Sequence, residues 1–329
     1  MYFFDVEHLQ IKYTLIIDLK MHKNFINSKY PIIEASMIAA STLPLALACW
    51  EAGIFPSLSP SILLPNKLRN YDLADEQLKE FVKSTGSPNL VFNITLWDFL
   101  DIKLMNILKS YNVSHVELNQ PLDKSNDYHA SCEKFIEQNS ESFYSMIKHI
   151  YPMKLIWRTS KPHVKKVDIA YNLIGSDAAG RNSEMTLLDL FSQQKKLTPN
   201  AVLIASGGIS SPQQVAEYIN KGATAVCLGT VLAASKESSL SPQAKNAIIN
   251  SNKENIIKFN DTKQNSLILG NIDEIKNDIS DGDKNRTAAL YKGAFGDGKS
   301  GHIYVGRGVD QITCIKSVKE IVEHLVSRL

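Results

Sequence analysis

Three clusters of glycine and other small residues have the types and spacing to do chemistry. Gly175-Ser176-Asp177-Ala178-Ala179-Gly180-Arg181 follows the apolar run VDIAYNLI, Gly207-Gly208 follows AVLIAS, and Gly229-Thr230 follows AVCL. Each cluster sits where a β run ends and a helical pattern begins. Glycine there allows positive φ or close backbone approach to a ligand, and the amides of a following helix N-terminus supply donors to an anion. A lone Gly-Gly would favour an ordinary strand-to-helix turn. Here the unbroken order strand, Gly-Gly, Ser cap, helix, Gly, strand, Gly-Thr in SGGISSPQQVAEYINKGATAVCLGT points to a phosphate group as guest.

The elements that must position these residues are legible in the alternation of patterns. Eight β-rich runs, at 30–37, 55–60, 89–94, 115–120, 154–160, 167–175, 201–208 and 225–230, are nearly all separated by helical stretches. This cadence predicts a TIM (β/α)8 barrel, although a doubly wound open sheet would read similarly. After the fifth run, KPHVKKVD has a proline and little apolar content, so the helix expected there is shortened or missing. In such a barrel, ligands bind at the carboxyl ends of the strands, with phosphate at the loops after strands seven and eight. The glycine pairs fall at those two places. The expected organisation is an N-terminal extension (1–29), the barrel (30–240) and a C-terminal extension packed on it (241–329), with a helix near 241–255, a polar stretch near 273–287 and a final helix from 318.

Bulk properties narrow the partners. With 36 Lys and Arg against 34 Asp and Glu, the net charge of +2 gives no electrostatic case for nucleic acid or an anionic membrane. The expected partner is a small-molecule substrate; the sequence is silent on oligomeric state. Cys49, Cys132, Cys227 and Cys314 form no CxxC pair, which argues against a zinc site and fits a reducing compartment. Asp5, Glu7 and His8 interrupt the apolar core a signal peptide needs, so the expected location is cytoplasmic. Ser327-Arg328-Leu329 approximates a peroxisomal address, which leaves that compartment as an alternative.

The stretch IASGGISSPQQVAEYINKGATAVCLGTVLAASKES resembles the second half-barrel of the nitronate monooxygenase (2-nitropropane dioxygenase) family, which includes flavin-dependent enoyl-acyl carrier protein reductases. PIIEASMIAASTLPLALACWEAGIFPSLS is similar to the family's opening strand and helix, and YVGRGVDQITCIKSVKEIVEHL to its closing segment. The resemblance implies an FMN-binding barrel, with the phosphate against Gly180, Ser206, Gly207, Gly208, Gly229 and Thr230. The backbone at Ser36 and Met37 would face the flavin ring, Asn93 would bond its edge, and Gln120 and Thr159 are further cofactor candidates. For those last two, a strand-end polar residue bonded to a loop is the alternative.

The family's Gly-x-Glu-Ala-Gly-Gly-His appears here as GSDAAGR, with Arg181 in place of the His. A guanidinium cannot act as a general base, but it can hold an anion, so substrate anchoring is the role expected of Arg181; a salt bridge or a bond to the cofactor phosphate is the alternative. His302, in the glycine-rich GDGKSGHIYVGRG, is a second catalytic candidate; His163 is weaker, and His115 starts strand four at the wrong end. Arg158, Lys161, Lys165 and Lys166 read as a solvated face. The implied activity is oxidation of alkyl nitronates with O2. One alternative is an FMN-dependent enoyl-thioester reductase fed by NAD(P)H; another is a degenerate barrel that retains the phosphate cradle and serves as a binding protein.

Overall fold

The computed structural model describes residues 25–58, 71–95, 101–119, 153–162, 169–261, 264–270, 283–296 and 300–329. The helical pattern over 129–150, the broken segment at 163–168, Gln120 and His163 therefore lie outside the described residues.

Each of the eight expected β runs contains a strand. These are β1 (Ile32–Glu34), β2 (Ser57–Leu58), β3 (Val91–Thr95), β4 (His115–Asn119), β5 (Lys154–Thr159), β6 (Ala170–Ile174), β8 (Leu203–Ser206) and β9 (Ala225–Leu228). They form one all-parallel sheet in the order β1-β9-β8-β6-β5-β4-β3-β2. The sheet closes through a bridge between Ile33 and Phe55. There Glu34 N donates to Phe55 O and Phe55 N donates to Ile32 O, each at 2.8 Å. Closure decides for the barrel over the open sheet.

Among the helices that cover the barrel are α1 (Leu43–Glu51), α2 (Tyr71–Thr85), α3 (Ile102–Ser110), α4 (Leu187–Leu197) and α5 (Pro212–Asn220). The Ser cap expected after Gly-Gly is present: Ser211 accepts from Gln214 N, and the Gln214 side chain accepts in return from Ser211 N. For α1, Thr42 holds the cap position without a capping bond, its hydroxyl pairing with that of Ser239, and Ser41 accepts from Met37 N at 3.0 Å.

Strand side chains alternate, and the two faces form two separate cores. Ile32, Phe92, Val116, Leu155, Tyr171, Leu203 and Val226 face the helices. Ile33, Val91, Ile156, Ala170, Ile204 and Ala225 fill the barrel interior with Phe55. Phe25 stoppers the amino end, its ring edge-on to His115 at 4.9 Å while its carbonyl accepts from Lys154 Nζ at 2.8 Å. Stepping two residues toward the carboxyl ends turns the interior polar, at Asn93, Arg158, Asn172, Ser206 and Cys227.

The tail differs from expectation. The helix expected over 241–255 is α7 (Pro242–Ile249) followed by a 3-10 turn at Lys253–Asn255, α6 being the short Thr230–Ala233. Part of the polar stretch is α8 (Asp283–Phe295), and the last helix, α9, covers Val318–Leu325. Three further strands, β10 (Ile257–Asp261), β11 (Gln264–Gly270) and β12 (His302–Tyr304), form an antiparallel sheet. That sheet takes in β7 (Gly180–Asn182), the end of GSDAAGR, which pairs with β11. No described helix is long and apolar enough to cross a membrane.

Candidate active site

At the carboxyl ends of β1, β5, β6, β8 and β9 the chain leaves a cavity of about 1200 Å³, its open mouth included. Ser36, Met37, Gly180, Ser206, Gly207, Gly208, Gly229 and Thr230 all line it. From the tail, α8 and β12 add Leu290, Ala294, Ile303 and Tyr304 to the lining.

The cradle is backbone. Gly207 and Gly208 have φ of +120° and +71°, and a Cβ on Gly208 would stand 2.8 Å from Asp177 Cβ. Gly229 precedes α6, and its carbonyl accepts from Leu232 N at 2.8 Å and Ala233 N at 3.0 Å. The closing segment knits onto the same backbone. Gly306 N donates to Thr230 Oγ1 at 2.9 Å, which leaves that hydroxyl proton for another acceptor. Arg307 N donates to Asp177 O at 3.0 Å. A Cβ on Gly306 would lie 2.7 Å from Asp177 O, and one on Gly308 would lie 2.5 Å from Gly208 O. Tyr304 lays its ring over Gly180, with its nearest carbon 3.4 Å from where a Cβ would stand.

Asn93, Thr159 and His302 stand apart from the lining. Asn93 is buried beneath the cavity, and its amide nitrogen donates to Glu117 Oε2 at 2.6 Å. That leaves the carbonyl oxygen and the second N–H of its amide. Thr159 is buried and bonded to a loop: its hydroxyl donates to Lys161 O at 2.8 Å and accepts from Lys161 N at 3.2 Å. His302 is buried on β12 in ring contact with Tyr304, and lines a separate hollow with Gly270, Gly293 and Gly301. The backbone of Arg181 pairs with Ser266 in the tail sheet.

Arg158 reverses its reading from sequence. It is half-buried and lines the cavity, because it lies two residues beyond the interior Ile156 on β5. Beneath it, Glu117 accepts from Asn93 on one oxygen and from Asn172 Nδ2 on the other, at 2.6 and 2.5 Å. Burial, reinforced by Glu117 and partly offset by Arg158, pushes the Cys227 thiol at the cavity floor up to about 12. That thiol is protonated at neutral pH and no nucleophile. Tyr304, Gly306, Gly308, Glu117 and Asn172 were not singled out from sequence. The alternate glycines of YVGRG were the available signal for the first three; strand periodicity carried on to the strand ends would have found the others.

Fold and site together define a (β/α)8 barrel with a glycine-lined cavity at the carboxyl ends of its strands. In the second half of the chain, residues 173–328 match the model of the nitronate monooxygenase family. No curated protein matches in sequence. Among solved structures, FabK from Thermotoga maritima superposes with a TM-score of 0.70 at 21% identity, over 92% of this chain and 93% of that one. Nitroalkane oxidase from Streptomyces ansochromogenes gives 0.69 at 18%, over 92% and 96%. The enoyl reductase domain of MlnA from Bacillus amyloliquefaciens gives 0.66 at 9%, over 92% and 95%. At these identities the likeness establishes the fold.

Proposed function

We propose that the chain binds FMN in this cavity and oxidises a small anionic substrate of the alkyl nitronate type with O2. The observation that carries the reading is the backbone cradle, in which strand-end glycines and the closing segment leave room for a phosphate and no side chain. Gly180, Gly207, Gly208, Gly229 and Thr230 would hold the phosphate, with Ser36 and Met37 beside the ring. When bound, the flavin would supply the electron chemistry, and the protein would supply orientation and electrostatics.

The lining also bears on the substrate. Among its described residues there is no His, Asp or Glu, so the reading does not include deprotonation of a neutral nitroalkane. A nitronate is already an anion and needs no base to form it. The same lack of a base suits hydride transfer to an enoyl thioester with NAD(P)H as donor, which is the second reading.

The deciding experiment is the visible spectrum of the purified protein, with identification of any chromophore released on denaturation. Stoichiometric FMN supports the reading, and a colourless protein that takes up no added FMN overturns it. With FMN present, O2 consumption with an alkyl nitronate supports the first reaction, and NAD(P)H oxidation dependent on an enoyl thioester supports the second.

A further inference from the structure

Arg158 is the one charged side chain among the described residues that line the cavity. Its guanidinium has no hydrogen bond or ion pair with any described residue. The hydrogen bonds of Glu117, the carboxylate one strand away, go instead to Asn93 on β3 and Asn172 on β6. Around it the walls are small or apolar: Ala35, Ala178, Ala179, Ile303.

A partly desolvated cation with no direct ion pair is costly, and low-dielectric walls raise both that cost and the attraction of any anion that arrives. Guanidinium presents its donors as a planar fork, which matches a flat group with two oxygens, or an oxygen and a nitrogen, sharing negative charge. The cavity thus has an anion-recognition point on β5 as well as its glycine cradle at the ends of β6, β8 and β9.

We propose that Arg158 is the specificity-determining residue of the cavity and pairs with a planar, delocalised anion there. The inference rests on the FMN reading only for one of two sources of that charge: the reduced flavin ring, or the anionic substrate itself.

Two variants and three readouts test it. Arg158→Met removes the charge, and Arg158→Lys keeps the charge but loses the fork. In the flavin arm, the two-electron potential of bound FMN in Arg158→Met is expected to fall by at least 30 mV, the equivalent of tenfold weaker preference for the reduced form. In the substrate arm, nitrate, a flat inorganic anion, is expected to bind the wild-type protein and to bind Arg158→Met at least tenfold more weakly, with Arg158→Lys between them. A shift in either arm supports the proposal and names the source. Unchanged potential together with unchanged nitrate binding overturns it. The third readout is the melting temperature of the FMN-free protein, which Arg158→Met should leave unchanged or raise, since no ion pair is lost. A marked fall overturns the proposal by showing that Arg158 is a structural ion-pair partner, and Arg158→Lys gives the same test should the Met variant not fold. If the wild type takes up no FMN, the function proposed above fails, while nitrate binding to the FMN-free protein still decides the role of Arg158.

Discussion

Gly208 and Arg158 mark the two extremes of what a residue's sequence context reveals. A Gly-Gly between a β run and a capped helix announces a turn and a close approach, because few other residues tolerate positive φ there. The structure adds the reason for the second glycine: a methyl group would meet Asp177 at 2.8 Å. Gly208→Ala is therefore expected to weaken FMN uptake at least tenfold, read by fluorescence titration. Gly86 is the control, since it too has positive φ, +65°, but nothing within 4 Å of an added Cβ. Gly86→Ala should cost about 1 kcal/mol of stability from backbone strain alone and leave FMN affinity unchanged. Equal loss of FMN in both variants would mean that the cradle is not the binding site. Arg158, by contrast, stands among lysines in WRTSKPHVKK and reads as surface. Its place inside the barrel follows from strand phase, which only the positions of Ile156 and its neighbours settle.

Single elements carry two buried titratable groups whose effects on stability oppose each other. On β1, burial pushes the Glu34 carboxyl from 4.5 up to about 8. The folded state holds that proton after the unfolded chain has lost it, so stability is full below pH 4.5 and is lost as pH rises toward 8, by about 1.4 kcal/mol per unit. On β4, burial, aided by Lys154, pulls His115 from 6.5 down to about 3. Here the unfolded chain gains the proton first, so stability is full above pH 6.5 and is lost as pH falls toward 3. From these two groups, denaturant midpoints should be level between pH 4.5 and 6.5 and fall on either side. Glu34→Gln should abolish the decline above pH 6.5 and, with nothing left to offset His115, start the acid decline at pH 6.5; an alkaline decline that persists in that variant would assign it to other groups. The barrel strands are legible because most pair an apolar run with a following helical pattern. The tail strands are not: β10 and β11 include IKFND and QNSLILG, whose polar residues show no clear period, and they become strands by pairing with one another and with β7 and β12.

At the scale of the whole molecule, the barrel is closed by the narrowest of its seams, the bridge of Ile33 to Phe55. If that seam holds in solution, the amides of Glu34 and Phe55 should be protected from hydrogen exchange as strongly as those of the central strands β4, β5 and β6. Fast exchange at those two sites would mean a sheet that opens between β1 and β2. The sequence by itself determined the eight strands, their alternation with helices, the glycine cradle at the ends of β6, β8 and β9, and the family likeness. Those features rest on local physics: side-chain periodicity, helix capping and the freedom of glycine. Tertiary structure alone decided that the sheet closes, that the tail folds back as a second sheet to wall the cavity with Tyr304, and that Arg158 faces inward while Glu117 is held by two amides. These depend on contacts between residues far apart in the chain, where neither spacing nor composition carries the information.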